Sequence, residues 1–223
     1  QTCALPICGQ ALYTSAFTPS TSPLTTTSQG ATASNVSLLT CQSATFIDNS
    51  TNNSTITVTG SAKPTTFAPF SVTYSTKQAY STSVIGGSMY FDGSGDYLTV
   101  TVASGSAANL SSGEFTVELW FYTTVSSMQS LFQQGEHFWR LNCDTSNHIA
   151  WVVQGVVGIT STNAFNLNSW NHVAVCKSGS TQTLYLNGIN QGTTTTNPSN
   201  SNNDAVIGVN TASIGNVWYF TGF

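Results

Sequence analysis

The stretch Phe115-Thr-Val-Glu-Leu-Trp-Phe-Tyr122 has a period of two: Phe115, Val117, Leu119 and Phe121 fall on one face, and Thr116, Glu118, Trp120 and Tyr122 on the other. Successive side chains of a strand point to opposite faces, so this octapeptide predicts a strand with one side turned to a core. The same β-rich character recurs in Thr55–Thr59, Ser88–Phe91, Tyr97–Val102, Phe138–Leu141, His148–Val153, Trp170–Cys176, Thr183–Leu186 and Ala205–Ile207. Between these runs Gly86-Gly87, Asp92-Gly93 and Asn187-Gly188 favour tight turns, because Gly and Asn tolerate positive φ. No segment sustains a helical period over ten residues. Many short strands with such punctuation predict an all-β, antiparallel sandwich or barrel.

Composition narrows the function. Only 5% of the 223 residues are charged, four basic and eight acidic, for a net charge of −4. Globular proteins carry roughly 25%. Nucleic-acid binding through phosphate neutralisation has almost no Lys or Arg to work with and is excluded as a partner class. Disorder is disfavoured too, since twelve Phe, eight Tyr and five Trp need somewhere to pack. No apolar run approaches the roughly 18 residues that cross a bilayer, so no membrane insertion is expected. The chain does not begin with Met and shows no basic region followed by an apolar one, so its beginning does not specify a compartment.

Residues 1–8 are read apart from the rest. Gln1-Thr-Cys-Ala-Leu-Pro-Ile7 is encoded, with ordinary codons, by a string that looks like a common sequencing-library adapter, and is taken as a scar on a gene fragment. The alternative, a genuine Pro-containing tail, predicts the same loose segment. Without Cys3 and Cys8, three cysteines remain, Cys41, Cys143 and Cys176, with no C-x-x-C pair for zinc or thioredoxin-like chemistry. Cys41 and Cys176 lie in strand-like runs and are expected as small buried thiols. A disulfide among the three stays open.

One hairpin adds information beyond periodicity. Trp170-Asn-His-Val-Ala-Val-Cys-Lys177, the loop Ser178–Thr181 and Gln182-Thr-Leu-Tyr-Leu-Asn-Gly188 form two strands closed by a second turn. Together with Tyr90-Phe-Asp-Gly-Ser-Gly-Asp-Tyr-Leu-Thr99 and Phe115–Phe121, this resembles the laminin-G-like, pentraxin-like jelly rolls of the concanavalin A-like lectin/glucanase superfamily. The resemblance covers residues 34–223 and implies two curved antiparallel sheets, whose concave face and rim loops are the usual ligand surface. Ser37–Ser43 and Phe46–Asn53 look like the family's first strand and its Asp/Ser/Asn loop. Ile214–Phe223 looks like the approach to the final strand, so the jelly roll is expected to end one strand short. Gly9–Pro19 resembles the segment that comes after such a final strand in phage-like tandem arrays, which makes residues 9–33 either the tail of a preceding repeat or a Ser/Thr/Pro linker.

The superfamily includes glucanases, so catalysis is tested on the acids. Retaining glycosidases need two carboxyl groups about 5 to 5.5 Å apart, which on one strand face means acids at even spacing, as in the laminarinase E-x-D-x-x-E pattern. Glu118 stands alone, with Thr116, Trp120 and Tyr122 beside it, and Asp48, Asp92, Asp96, Glu114, Glu136, Asp144 and Asp204 supply no such pair. Asp92 and Asp96 share a segment whose two glycines read as a turn. His137, His148 and His172 have no metal-type pairing, no G-x-S-x-G elbow is present, and His172 is read as a strand residue of the family's W-x-H-V block. Arg140, the only Arg, is read as structural.

What remains is binding. Calcium is the most plausible cofactor: Asp48-Asn-Ser-Thr-Asn52 supplies oxygen at alternating loop positions, with Asp48 and Asn52 as candidate ligands, although an Asx-type turn explains the segment without an ion. Neutral saccharides call for aromatic platforms with amide, acid and hydroxyl groups, and Glu118, Trp120, Tyr122, Trp139 and Trp151 are the candidates on the presumed concave face. The chain is therefore expected to be a non-catalytic binding or structural module of a larger extracellular or virion protein, of the phage tail or fibre kind, meeting glycans and neighbouring repeats. The alternative is a secreted carbohydrate-binding module attached to an enzyme, with a glycoside hydrolase behind it. The sequons at Asn35, Asn49, Asn53 and Asn109 arise readily by chance in so Asn/Ser/Thr-rich a chain.

Overall fold

The computed structural model describes residues 4–41, 45–65, 67–70, 87–101, 110, 113–135, 138–198, 204–210 and 217–223. These form strands β1 (Ala4–Cys8), β2 (Thr55–Thr59), β3 (Lys63–Thr65), β4 (Ser88–Asp92), β5 (Tyr97–Thr101), β6 (Phe115–Tyr122), β7 (Gln129–Gln134) and β8 (Trp139–Cys143). The chain continues through β9 (Ile149–Val153), β10 (Val156–Thr160), β11 (Trp170–Ser178), β12 (Thr181–Leu186), β13 (Ile189–Thr194), β14 (Ala205–Ile207) and β15 (Thr221–Gly222). Helical geometry among the described residues is confined to two short 3-10 turns, Ser28–Gly30 and Ala33–Asn35. No helix there is long and apolar enough to cross a membrane.

All ladders are antiparallel. One sheet runs β1-β6-β11-β12-β13, a second β10-β9-β8-β7-β14-β5-β2, and a third, small one β15-β4-β3. The expected alternation of β6 is realised: Phe115, Val117, Leu119 and Phe121 are fully buried, and Val173, Val175, Leu184 and Leu186 join them from β11 and β12. Opposite them the second sheet contributes Leu98, Phe132, Leu141, Val153 and Ile207, closing one continuous apolar core between two sheets. This is the two-sheet antiparallel sandwich that the alternation predicts.

Two turns show why the punctuation is where it is. Asn187 (φ 51°) and Gly188 (φ 78°) are both left-handed, as a two-residue hairpin between β12 and β13 demands. The β11–β12 loop likewise tightens onto Gly179 (φ 58°), with Ser178 pairing Thr181.

Several expectations differ from the structure. Residues 4–8 are not loose: Ala4–Cys8 pairs with Leu119–Phe115, because that edge of β6 offers unpaired amides, and Ile7 packs with Leu24, Val36 and Leu39. Residues 9–33 do not hang free either, since Tyr13 and Leu24 are buried. The chain's other end enters the same lane. Phe223 exchanges both backbone hydrogen bonds with Tyr122, at 2.8 and 2.9 Å, just along β6 from where Ala4 faces Leu119. Of the expected final approach, residues 214–216 lie outside the described set, as do Val102, Gly86, Glu136, His137 and Asn109. Strand β7 has a polar sequence, Gln-Ser-Leu-Phe-Gln-Gln, and no strand was expected there. Its side-chain amides are taken up by the fold: Gln129 donates to the Val125 carbonyl and accepts from Thr221 N–H, and Gln134 accepts from the Trp139 indole.

Cys41, Cys143 and Cys176 are free thiols, and all three are buried. Burial pushes Cys41 up to about 11 and Cys176 up to about 12.

Candidate functional site

The outer face of the five-stranded sheet is built by parity. Residues of β6 that are not in the core, Glu118, Trp120 and Tyr122, stand opposite Ala174, His172 and Trp170 of β11. Asn187, in the turn after β12, locks this corner: its Oδ1 accepts the His172 amide at 2.8 Å and its own amide donates to the His172 carbonyl.

Residues 9–24 run across this face as a strap. Leu12 N–H donates to Thr116 Oγ1 at 2.9 Å, and Phe17 N–H to the Gly188 carbonyl at 3.0 Å. Tyr13 is 6% exposed, and its hydroxyl donates to Glu118 Oε2 at 2.7 Å. Phe17 stacks on Tyr13 and meets His172 and Tyr185 edge-on. Glu118 and His172 are fully enclosed beneath it, with His172 Nε2 donating to the same Glu118 oxygen at 3.1 Å. Burial, then the Glu118 charge and hydrogen bond, push the Tyr13 hydroxyl far above its ordinary value near 10.

This shift sets the sign of a pH dependence. A group that holds its proton more tightly when folded stabilises fully below its unfolded value, and that stabilisation is lost as pH climbs past it. Urea midpoints measured from pH 8 to 11 should therefore fall more steeply in the wild type than in Tyr13→Phe.

Beside the strap lies a pocket of about 570 Å³, lined by Trp120, Trp170, Phe70, Pro69 and Asn187 and, on the strap side, by residues 18–21. None of the described residues that line it is charged. Phe70 meets Trp120 at 5.8 Å, and Phe67 meets Trp170 at 5.3 Å. Four buried polar atoms along this face have no hydrogen-bond partner among the described residues: Glu118 Oε1, His172 Nδ1, Trp120 Nε1 and Trp170 Nε1. A buried donor or acceptor left unpaired costs about 1–3 kcal/mol.

The expected site residues divide. Glu118, Trp120 and Tyr122 do share a face; Trp120 and Tyr122 are half-buried, whereas Glu118 is sealed under Tyr13. Trp139 and Trp151 are not on a ligand surface. Each shares the parity of its core neighbours, Trp139 with Leu141 and Cys143, and Trp151 with Ile149 and Val153. Both indoles are spent inside the protein, Trp139 on Gln134 at 3.1 Å and Trp151 on Gln182 at 2.7 Å. Trp170, His172, Asn187 and the strap complete the site and were not expected there. The spacing of Trp170 and His172, two apart on β11 and facing β6, is the signal that marks the first two.

Asp48 and Asn52 lie together, but the atoms they present do not suit a cation. The Asp48 carboxylate, 4% exposed, accepts backbone N–H groups from Leu39, Ser50 and Ser54 at 2.8–3.0 Å, so amide hydrogens occupy the directions an ion needs. Asn52 turns its amide nitrogen to the Ser37 carbonyl. No group of three His, Cys, Asp or Glu side chains that could hold a metal occurs among the described residues. Asp48→Ala should cost about 2–4 kcal/mol by leaving three amides unpaired, while millimolar calcium should leave the wild-type Tm unchanged.

Asp92 and Asp96 are also absorbed locally. Asp96 accepts the amides of Ser61 and Asp92, Asp92 accepts that of Ser94, and the Ser61 hydroxyl sits between the two carboxylates.

Several solved structures align with this chain. A crystal structure of an HCR/D mutant aligns at a TM-score of 0.55 and 14% identity, over 79% of this chain and 44% of that one. Domains LG4-5 of the mouse laminin alpha1 chain align at 0.46 and 20%, over 60% and 39%. Domain 4 of an extracellular arabinanase from Geobacillus stearothermophilus, solved in complex with arabinotriose, aligns at 0.44 and 14%, over 77% and 84%. The chain thus spans less than half the length of the first two. No curated protein matches it. The Laminin_G_3 family, described as the concanavalin A-like lectin/glucanases superfamily, matches residues 92–223, more than half of the sequence, and the chain belongs to that family.

Proposed function

We propose that this chain is a non-catalytic carbohydrate-binding module and that the Trp120–Trp170 pocket takes a neutral saccharide. The observation that carries this reading is a pocket walled by Trp120, Trp170 and Phe70, with no charged side chain among its described lining residues, beside which the two indole N–H groups are buried without a partner among the described residues. Aromatic faces suit the C–H face of a sugar ring, and indole and amide donors fix its oxygens. Among the described residues the pocket's lining includes no acid to serve a hydrolase, and Glu118, the described acid nearest to it by register, already accepts Tyr13 and His172.

The setting we propose is a larger protein outside the cell or on a virion. A second role, as a structural unit among neighbouring repeats, is supported by one observation: Phe223 and Ala4 enter the same lane of β6 in the same direction, so that successive units could pass a strand from one to the next.

Tryptophan fluorescence titration across a glycan array tests the binding reading. A saccharide ligand should be found, and Trp120→Ala or Trp170→Ala should weaken it by about 2 kcal/mol, roughly 30-fold, with little loss of Tm. No response to any saccharide would remove it.

A further inference from the structure

We propose that residues 13–21 are a displaceable strap standing in for a saccharide, and that the Glu118–His172 pair beneath it is a polyol subsite continuous with the Trp120–Trp170 pocket. This rests on the carbohydrate reading above and extends it.

The strap makes the contacts a sugar would make. Tyr13 presents a hydroxyl to Glu118 Oε2 at 2.7 Å, and its ring and that of Phe17 cover His172 and Tyr185. It does so incompletely. Glu118 Oε1 and His172 Nδ1 stay unpartnered among the described residues although both side chains are essentially fully buried. Trp120 Nε1, one cross-strand pair from His172, is unpartnered as well. A carboxylate that accepts a hydroxyl and the His172 N–H on one oxygen and leaves the other without a partner among the described residues fits a ligand offering two adjacent hydroxyl donors.

Geometry also places the pocket next to the buried pair. Residues 18–21 are a wall of the pocket, so lifting the strap opens it directly onto Glu118 and His172. Beyond Tyr13 the strap is lightly held: Thr14, Ser15, Ala16 and Thr18 are exposed and Phe17 only half-buried. Segments with few buried apolar groups open at low free energy. The ligand class is set by charge. A buried carboxylate, and the lack of Lys or Arg among the described residues that line the pocket, disfavour uronates and sulfated sugars and favour a neutral glycan with a vicinal diol.

The test uses the full chain and single gluco-, manno-, xylo- and arabino-oligosaccharides of three to six residues. Hydrogen exchange with and without the tightest binder, and titration of Phe17→Ala, are the two measurements. Loss of amide protection over residues 13–21 on binding, and at least about fivefold tighter binding by Phe17→Ala that Glu118→Gln cancels, is the expected result. Gained protection, or unchanged or weaker binding by a natively melting Phe17→Ala, overturns the strap and leaves the Trp120–Trp170 reading standing. If no oligosaccharide binds any form, both fall. Should Phe17→Ala not fold, Gly188→Ala replaces it, because a methyl group there would run into the Phe17 carbonyl and push the strap off; the same tightening is expected.

Discussion

Trp151→Ala is expected to cost about 3–5 kcal/mol of folding stability, read as a lowered urea midpoint at unchanged slope. The indole is fully buried and packs against Trp139 and Phe115, so truncation opens a large cavity between the two sheets. It also leaves Gln182 Oε1, a buried acceptor that takes the indole N–H at 2.7 Å, without its donor. The two losses act together, since the surrounding sheets are held by ladders on both sides and relax only in part. Trp151→Phe should recover part of the packing but not the hydrogen bond. A loss below about 1 kcal/mol for Trp151→Ala would mean that residue 151 does not sit in the core.

Glu118→Ala is the second large effect, about 3–5 kcal/mol. It strands His172 Nε2 and the Tyr13 hydroxyl in an enclosed space, and a buried polar group without its partner carries its whole desolvation penalty. The informative comparison is the triple variant Glu118→Leu/His172→Leu/Tyr13→Phe, which removes every member of the cluster. It should be closer in stability to the wild type than Glu118→Ala is, because apolar replacement of a whole buried network is often neutral or stabilising. Thermal melts of the two variants side by side decide it. If the triple variant is the worse folded, the cluster contributes net stability, and its polar atoms need no ligand to account for them.

The sandwich is legible in the alternation of Phe115–Tyr122 because a strand's side chains can point only two ways, and one of the two sets is uniformly apolar. The same rule would have placed Trp139 with Leu141 and Trp151 with Val153, inside; expecting them on a sugar platform set residue type above parity. β7 was not legible, since Gln129 and Gln134 are satisfied by partners from other elements, and local pattern cannot show a glutamine whose acceptor or donor is remote. The strap lies furthest beyond reach. Tyr13 and Glu118 are 105 positions apart, and nothing near either residue announces the other. Trp170 and His172 lie between these cases: their spacing on one strand face is plain, but their neighbourhood with Trp120 needs the β6–β11 register.

The shared lane on β6 gives the fold a cyclic character. Ala4 faces Leu119 and Phe223 faces Tyr122, both running antiparallel to β6, so the backbone path nearly bites its own tail. Chain order and spatial order are then only loosely tied. A rearranged gene that links the two ends and opens the polypeptide at the exposed Gly179-Ser180 bend keeps every ladder described above, and the sandwich has no privileged place to start.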